Sequence, residues 1–493
     1  MRASGILMHI SSLPSKYGIG TMGREAYKFV DFLEQAGQKY WQILPVGCTS
    51  YGDSPYSSFS TFAGNPYFID LETLCEEGLL TQEECESFDW GDDPKNVDYK
   101  KLFDSRYEIL HMAFHRDQDL MKSKAYRTWY EENKEWLDDF ALYMAIKFDS
   151  DMVSWQEWDD DIRRRTPKAM KEYGEKLQDE ILFFQYVEYK FFEQWNKLKQ
   201  YANDKGIKII GDIPIYVAGD SADTWANPEL FLFDEDLKPI DVAGCPPDAF
   251  SATGQLWGNP IYRWEQHKKT HYAWWIRRVR MAFRLYDTVR IDHFRGFESF
   301  YAIPYGDLTA ENGEWRKGPG IDIFNTLKKK LGDLDIIAED LGYLTDDVRK
   351  LLKDTGYPGM KVLQFAFDSR ENSDYLPHNY GHNNVVYTGT HDNETLAGWF
   401  VTAPKADVRF AIEYFHLTKT EGYNWGFIRQ TYMTTSNLAV VPIQDFLNLG
   451  CEARMNTPST LGGNWMFRLE PGALTEKLAK RIHRMVKTYR REG

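Results

Sequence analysis

Cysteine is scarce in this chain: Cys48, Cys75, Cys85, Cys245 and Cys451 are odd in number, scattered and without CxxC spacing. That argues against a disulfide framework and a zinc site, so a reducing compartment is expected. Long apolar runs are missing too. No window approaches the ~20 apolar residues that a membrane span requires, and the opening MRASGILMHISSLPS has too short an apolar stretch for a signal peptide. A soluble, cytoplasmic protein with no membrane partner is the expectation. Positive charge is also in deficit. The 59 Lys plus Arg against 74 Asp plus Glu give a formal net charge of -15, so a phosphate backbone finds no global attraction and nucleic acid is not an expected partner. Internal repeats, low-complexity tracts and flexible linkers do not occur.

What the chain does have is apolar and aromatic bulk. Of 493 residues, 43% are hydrophobic and 15% aromatic, enough to bury a large core. Flat aromatic faces also suit sugar rings. Eight short β-rich runs recur, each followed by a helical stretch or a long insertion: Gly5 to His9, Trp41 to Val46, Ile207 to Ile215, Thr288 to Phe294, Leu334 to Asp340, Lys361 to Phe367, Asn384 to Thr390 and Leu438 to Ile443. Most are dense in Ile, Val and Leu, as in strands covered on both faces. Eight such units predict an α/β fold, a (β/α)8 TIM barrel with chemistry at the carboxyl ends of its strands.

The spacing is uneven. The stretch after the second strand predicts a mainly helical insertion subdomain over 70–205. Within it Phe184, Val187, Phe191, Trp195 and Leu198 recur at three- and four-residue steps, a stripe suited to packing on the barrel. A second, loop-rich insertion over 216–287, with GCPPDAFSATGQLWGNP, follows the third strand and has the make-up of an active-site lid. The whole chain, 1–493, is expected to form a single elaborated barrel.

Acidic residues gather at strand ends. In VRIDHFRG, alternation puts Arg290 and Asp292 on one side of the strand and Val289 and Ile291 on the other. A guanidinium beside a carboxylate favours the charged form and keeps it available as a nucleophile, although a structural ion pair would leave the same pattern. IIAEDLG places Glu339 and Asp340 at the next strand end, and GTHDNET places His391 and Asp392 further on. Three carboxyl-bearing strand ends with no Cys or His cluster fit chemistry run by carboxylates. Hard-oxygen binding of magnesium or calcium is the rival, but neither a DxDxDG loop nor a phosphate-binding loop accompanies the acids. No metal or cofactor is expected. The residues alone stop at a barrel enzyme that uses two or three carboxylates.

The strings SGILMHISSLPS, SPYSSFSTFAGNPYFIDL, GDIPIYV, ATGQLWGNPIY, VRIDHFRGF, IIAEDLG, GTHDNET and GGNW go further. In order, and along nearly the whole chain, they resemble the 4-alpha-glucanotransferases called amylomaltases or disproportionating enzymes, retaining barrels of the α-amylase clan. The resemblance implies that Asp292 is the nucleophile, Glu339 the general acid/base, and Asp392 a third carboxylate that holds sugar hydroxyls. It implies that Arg290 and His391 bind the nucleophile and the sugar at the cleavage point. Tyr56 and Asp212 would serve the donor site and Trp257 the lid. Asp340, Phe365 and Asp368 join the substrate-binding candidates. Implied partners are maltooligosaccharides and other α-1,4-glucans, with oligomeric state left open. Ser459 departs from the family pattern, where Gly is common, which puts a backbone contact to sugar there in doubt. An α-amylase-type hydrolase and a non-catalytic glucan-binding barrel are the competing readings. Intact Asp292, Glu339 and Asp392 count against the second.

Overall fold

The computed structural model describes residues 2–50, 52–247, 251–342, 344–370 and 372–493. Residues 248–250, inside the expected lid loop, lie outside the described residues. The strands are β1 (Ala3–Leu7), β2 (Tyr40–Gln42), β3 (Lys208–Pro214), β4 (Asp241–Cys245), β5 (Gln255–Pro260), β6 (Thr288–Asp292), β7 (Ser299–Pro304), β8 (Glu314–Lys317), β9 (Ile336–Ala338), β10 (Gly359–Val362), β11 (Asn384–Tyr387) and β12 (Leu438–Pro442).

Eight of them pair in parallel in the order β10-β11-β12-β1-β2-β3-β6-β9. The Ala338 N–H donates to the Pro358 carbonyl at 2.9 Å, which brings β9 against the start of β10 and nearly closes the ring. This is the TIM-barrel-like fold that eight apolar runs predict, with insertions. Each expected run contains or overlaps one barrel strand. The sixth differs most: the expected Lys361–Phe367 is a strand only to Val362, and Leu363–Ala366 turns into a 3-10 helix. Burial explains the misreading, because Leu363, Ala366 and Phe367 remain within the core after the strand has ended.

Between β2 and β3 the chain is mainly helical. Helices Lys124–Asp149 and Gln178–Asp204 are its longest. The expected stripe on the second is real: Phe184, Val187, Phe191, Trp195 and Leu198 are all buried, and the Trp195 indole N–H donates to the Leu285 carbonyl at 3.0 Å beside the barrel. Apolar periodicity at 3.6 residues thus fastens the insertion to the barrel wall.

The insertion after β3 holds more regular structure than its Gly and Pro content indicates. Strands β4 and β5 lie within it, and they join β7 and β8, which follow the fourth barrel strand, in an antiparallel sheet of order β5-β4-β7-β8. Trp257 sits on β5, at the edge of that sheet.

Candidate active site

Register places the candidate groups. Pairing of β3 with β6 sets Asp212 opposite Arg290, and pairing of β6 with β9 sets Ile291 opposite Ala338. One residue further along, the Glu339 N–H donates to the Ile291 carbonyl at 3.0 Å, and the Phe294 N–H donates to the Glu339 carbonyl at 3.1 Å. Asp292 and Glu339 therefore leave adjoining strands at the same level of the barrel mouth.

A buried guanidinium organises one side. Arg290 is 3% exposed, donating from Nη1 to Asp212 Oδ2 at 2.5 Å and from Nη2 to Asp292 Oδ1 at 2.9 Å. Burial works against its charge, but Asp212 and Asp292 carry its pKa well above the ordinary guanidinium value. The Tyr56 hydroxyl donates to Asp212 Oδ2 at 2.7 Å. Asp212 is itself buried, so it lies behind Tyr56 and Arg290 as their common anchor. Burial raises the Asp212 carboxyl to about 7, with Arg290 pulling the other way.

Glu339 is held by backbone. Its Oε2 accepts from the His293 N–H at 2.8 Å and its Oε1 from the Leu341 N–H at 2.7 Å. Burial first, and the Asp292 charge second, raise its carboxyl to about 7, while Arg290 and the two N–H groups oppose the rise. A carboxyl that keeps its proton near neutrality beside a carboxylate anchored to a cation is the division of labour that acid–nucleophile chemistry needs.

The third carboxylate has different partners. Asp392 Oδ1 accepts from Asn456 Nδ2 at 2.6 Å, and its backbone carbonyl accepts from Arg454 at 2.8 Å. His391 Nε2 lies 3.4 Å from the same Oδ1. The His391 ring stacks on Tyr56 with centroids 5.0 Å apart, and Trp465 packs against both. Burial lowers the His391 pKa, which favours a neutral ring. Ser459, in the loop after Asn456, adopts φ +62°. A glycine enters this left-handed region without strain, so the serine keeps a glycine-like path at some cost.

Asp292, Glu339, Arg290, Asp212, Tyr56, His391 and Asp392 are thus linked by direct contacts or adjacent strand ends. The remaining candidates lie outside that linked set. Trp257 is 37% exposed and meets His293 edge-on at 4.8 Å. Asp340 is buried and accepts from the Met360 N–H at 2.6 Å. Phe365 is exposed and packs edge-on against Tyr375. Asp368 is tied up by Arg370, whose Nη2 donates at 2.6 Å. Motif spelling did not single out Asn456, Arg454 or the N–H groups of His293 and Leu341, although GGNW carries Trp465. Among the described residues, no group of three or more His, Cys, Asp or Glu is arranged to hold a metal ion, and no helix is long and apolar enough to cross a membrane.

Known proteins match this chain along nearly its whole length. The 4-alpha-glucanotransferase family model matches residues 8–475. The 4-alpha-glucanotransferase of Clostridium butyricum is 52% identical over 486 residues, covering 98% of this chain and 100% of that protein. That of Thermus thermophilus is 44% identical over 500 residues, covering 99% of both. The solved amylomaltase from Streptococcus agalactiae in complex with acarbose superposes with a TM-score of 0.96 at 44% identity, covering 100% of each chain. With near-full-length identity of this order, the chain belongs to the 4-alpha-glucanotransferase family and is an enzyme of that activity on α-glucans.

Proposed function

We propose that the enzyme transfers α-1,4-glucan segments from a maltooligosaccharide donor to the 4-hydroxyl of glucose or another glucan by double displacement. Asp292 attacks the anomeric carbon as the bond to the leaving sugar oxygen breaks, and Glu339 gives that oxygen its proton. The product of the first step is a glucosyl ester of Asp292. Glu339, now charged, takes the proton of the acceptor 4-hydroxyl, whose oxygen attacks the anomeric carbon and expels Asp292. Both the α-configuration and the starting protonation states are restored. Asp392 holds sugar hydroxyls, Arg290 keeps Asp292 in place, and Tyr56 and His391 form a flat wall against the donor sugar. The complex of the Streptococcus agalactiae relative with acarbose supports this class of ligand.

One observation carries the assignment: Glu339 is fixed by two backbone donors at the strand end adjoining Asp292, with its carboxyl raised to about 7. Leaving-group chemistry tests it. A sugar alcohol needs a proton from Glu339, whereas fluoride needs far less help. Glu339→Gln should lose ~10²- to 10⁴-fold on maltotriose yet accumulate an adduct on Asp292 from α-glucosyl fluoride. Asp292→Asn should form none. Mass spectrometry of each variant decides, and an adduct on another residue or equal labelling of both variants refutes the roles.

A further inference from the structure

The residue between the two reacting carboxyl groups has chemistry left over. His293 follows Asp292 and gives its backbone N–H to Glu339, in the left-handed region at φ +52°. Such a conformation is uncommon for a residue with a β-carbon, and it persists only where the surroundings demand it. Here it ends β6 immediately after Asp292. The side chain is unusual as well. Its Nε2 is buried and has no hydrogen-bond partner among the described residues, although a ring nitrogen always acts as a donor or an acceptor. The edge of the ring meets Trp257 at 4.8 Å. Trp257 is part-exposed on an edge strand and donates its indole N–H to Gln255 on the same strand at 3.1 Å, so the ring is held by local contacts. A buried ring nitrogen without a partner in the chain is open to a ligand hydroxyl, and this one lies beside Glu339 and Trp257.

We propose that His293 recognises the acceptor sugar: one hydroxyl of the incoming sugar pairs with His293 Nε2 beside the Trp257 ring, and the same residue's backbone holds Glu339 for the proton transfer. This rests on the double-displacement reading above. The nearby charges of Asp292 and Arg295 act on the ring in opposite directions, and burial, the larger effect, lowers its pKa to about 4. The imidazole is therefore neutral at working pH and engages a hydroxyl rather than an anion. Acceptor recognition of this kind favours transfer over hydrolysis.

The test separates the two half-reactions, with α-glucosyl fluoride as donor and glucose as acceptor. His293→Phe keeps an apolar ring against Trp257 and removes the nitrogens. It should raise the KM for glucose about tenfold, the worth of one neutral hydrogen bond, and lower the transfer-to-hydrolysis ratio, while a fluoride burst persists. His293→Gly accepts the left-handed backbone, also removes the nitrogens, and serves where the Phe variant folds poorly. In the wild type one deoxyglucose acceptor should be markedly worse than glucose, and in either variant that difference should vanish. An unchanged KM for glucose overturns the proposal. So does an equal fall in fluoride release and transfer, which would mean that His293 acts only through the backbone of Glu339. Failure of wild-type enzyme to pass through an Asp292 adduct would instead remove the double-displacement reading itself.

Discussion

On the proposed double displacement, the raised Glu339 carboxyl should make the rate a steep function of pH near neutrality. A rise from 4.5 to about 7 corresponds to ~3 kcal/mol of preference for the protonated form. Glu339 must carry its proton in the first step, so activity is present below this value and is lost as pH rises through it. The protonated fraction falls from about 0.9 at pH 6 to about 0.1 at pH 8 for a group titrating near 7, a drop of about tenfold in kcat/KM for maltotriose. Asp292 and Glu339 interact, so the limb belongs to the pair. A second measurement assigns the cause. Burial is the larger contribution and the Asp292 charge the smaller. In Asp292→Asn, carboxyl infrared absorption of isotope-labelled Glu339 should therefore titrate lower than in the wild type, yet above the ordinary 4.5. A flat kcat/KM from pH 6 to pH 8.5 would refute the acid role. Titration at the ordinary value in Asp292→Asn would refute burial as the main cause.

Asn456→Ala removes the 2.6 Å donor to Asp392 Oδ1. A hydrogen bond to a charged group is worth ~1.5–3 kcal/mol, so kcat/KM for maltotriose should fall at least about tenfold with the melting temperature little changed. Undiminished activity would show that His391 and Arg454 suffice to place Asp392. Away from the site, a β-carbon on Gly64 would come within 2.1 Å of the Phe191 ring. Gly64→Ala should lower the melting temperature in calorimetry through ~1–3 kcal/mol of overpacking, and an unchanged transition would mean that the helix Gln178–Asp204 yields freely there.

The barrel strands were legible because their surroundings are uniform. Ile336, Ile337 and Ala338, or Val385, Val386 and Tyr387, are buried, and burial on both faces writes itself as an unbroken apolar run. The helical stripe from Phe184 to Leu198 was legible for the complementary reason, one apolar face at a fixed period. The antiparallel sheet was not. Strand β5 reads QLWGNP, and its central residues are exposed. With exposed positions and a Gly and a Pro inside it, neither a continuous run nor an alternation remains to be seen. Its pairing is supplied by β4, which in turn pairs β7 from beyond the fourth barrel strand. Among the described residues β5 pairs only with β4, just before it in the chain, but the sheet that holds them both is completed by β7 and β8, which their own residues do not announce.

At the site, carboxyl groups at strand ends were visible because chemistry restricts which side chains can serve, but their surroundings decide what each one does. Glu339 and Asp340 are neighbours in sequence. One is gripped at the barrel mouth by the N–H groups of His293 and Leu341, and the other takes the N–H of Met360. A motif that spells both acids cannot apportion those roles, since the donors that sort them are main-chain groups. Every residue except proline can supply such a donor, so no side-chain pattern announces it. His293 gives that N–H from φ +52° with its ring against Trp257. The grip on Glu339 thus depends on backbone geometry that the fold imposes after β6, and no side-chain motif spells it.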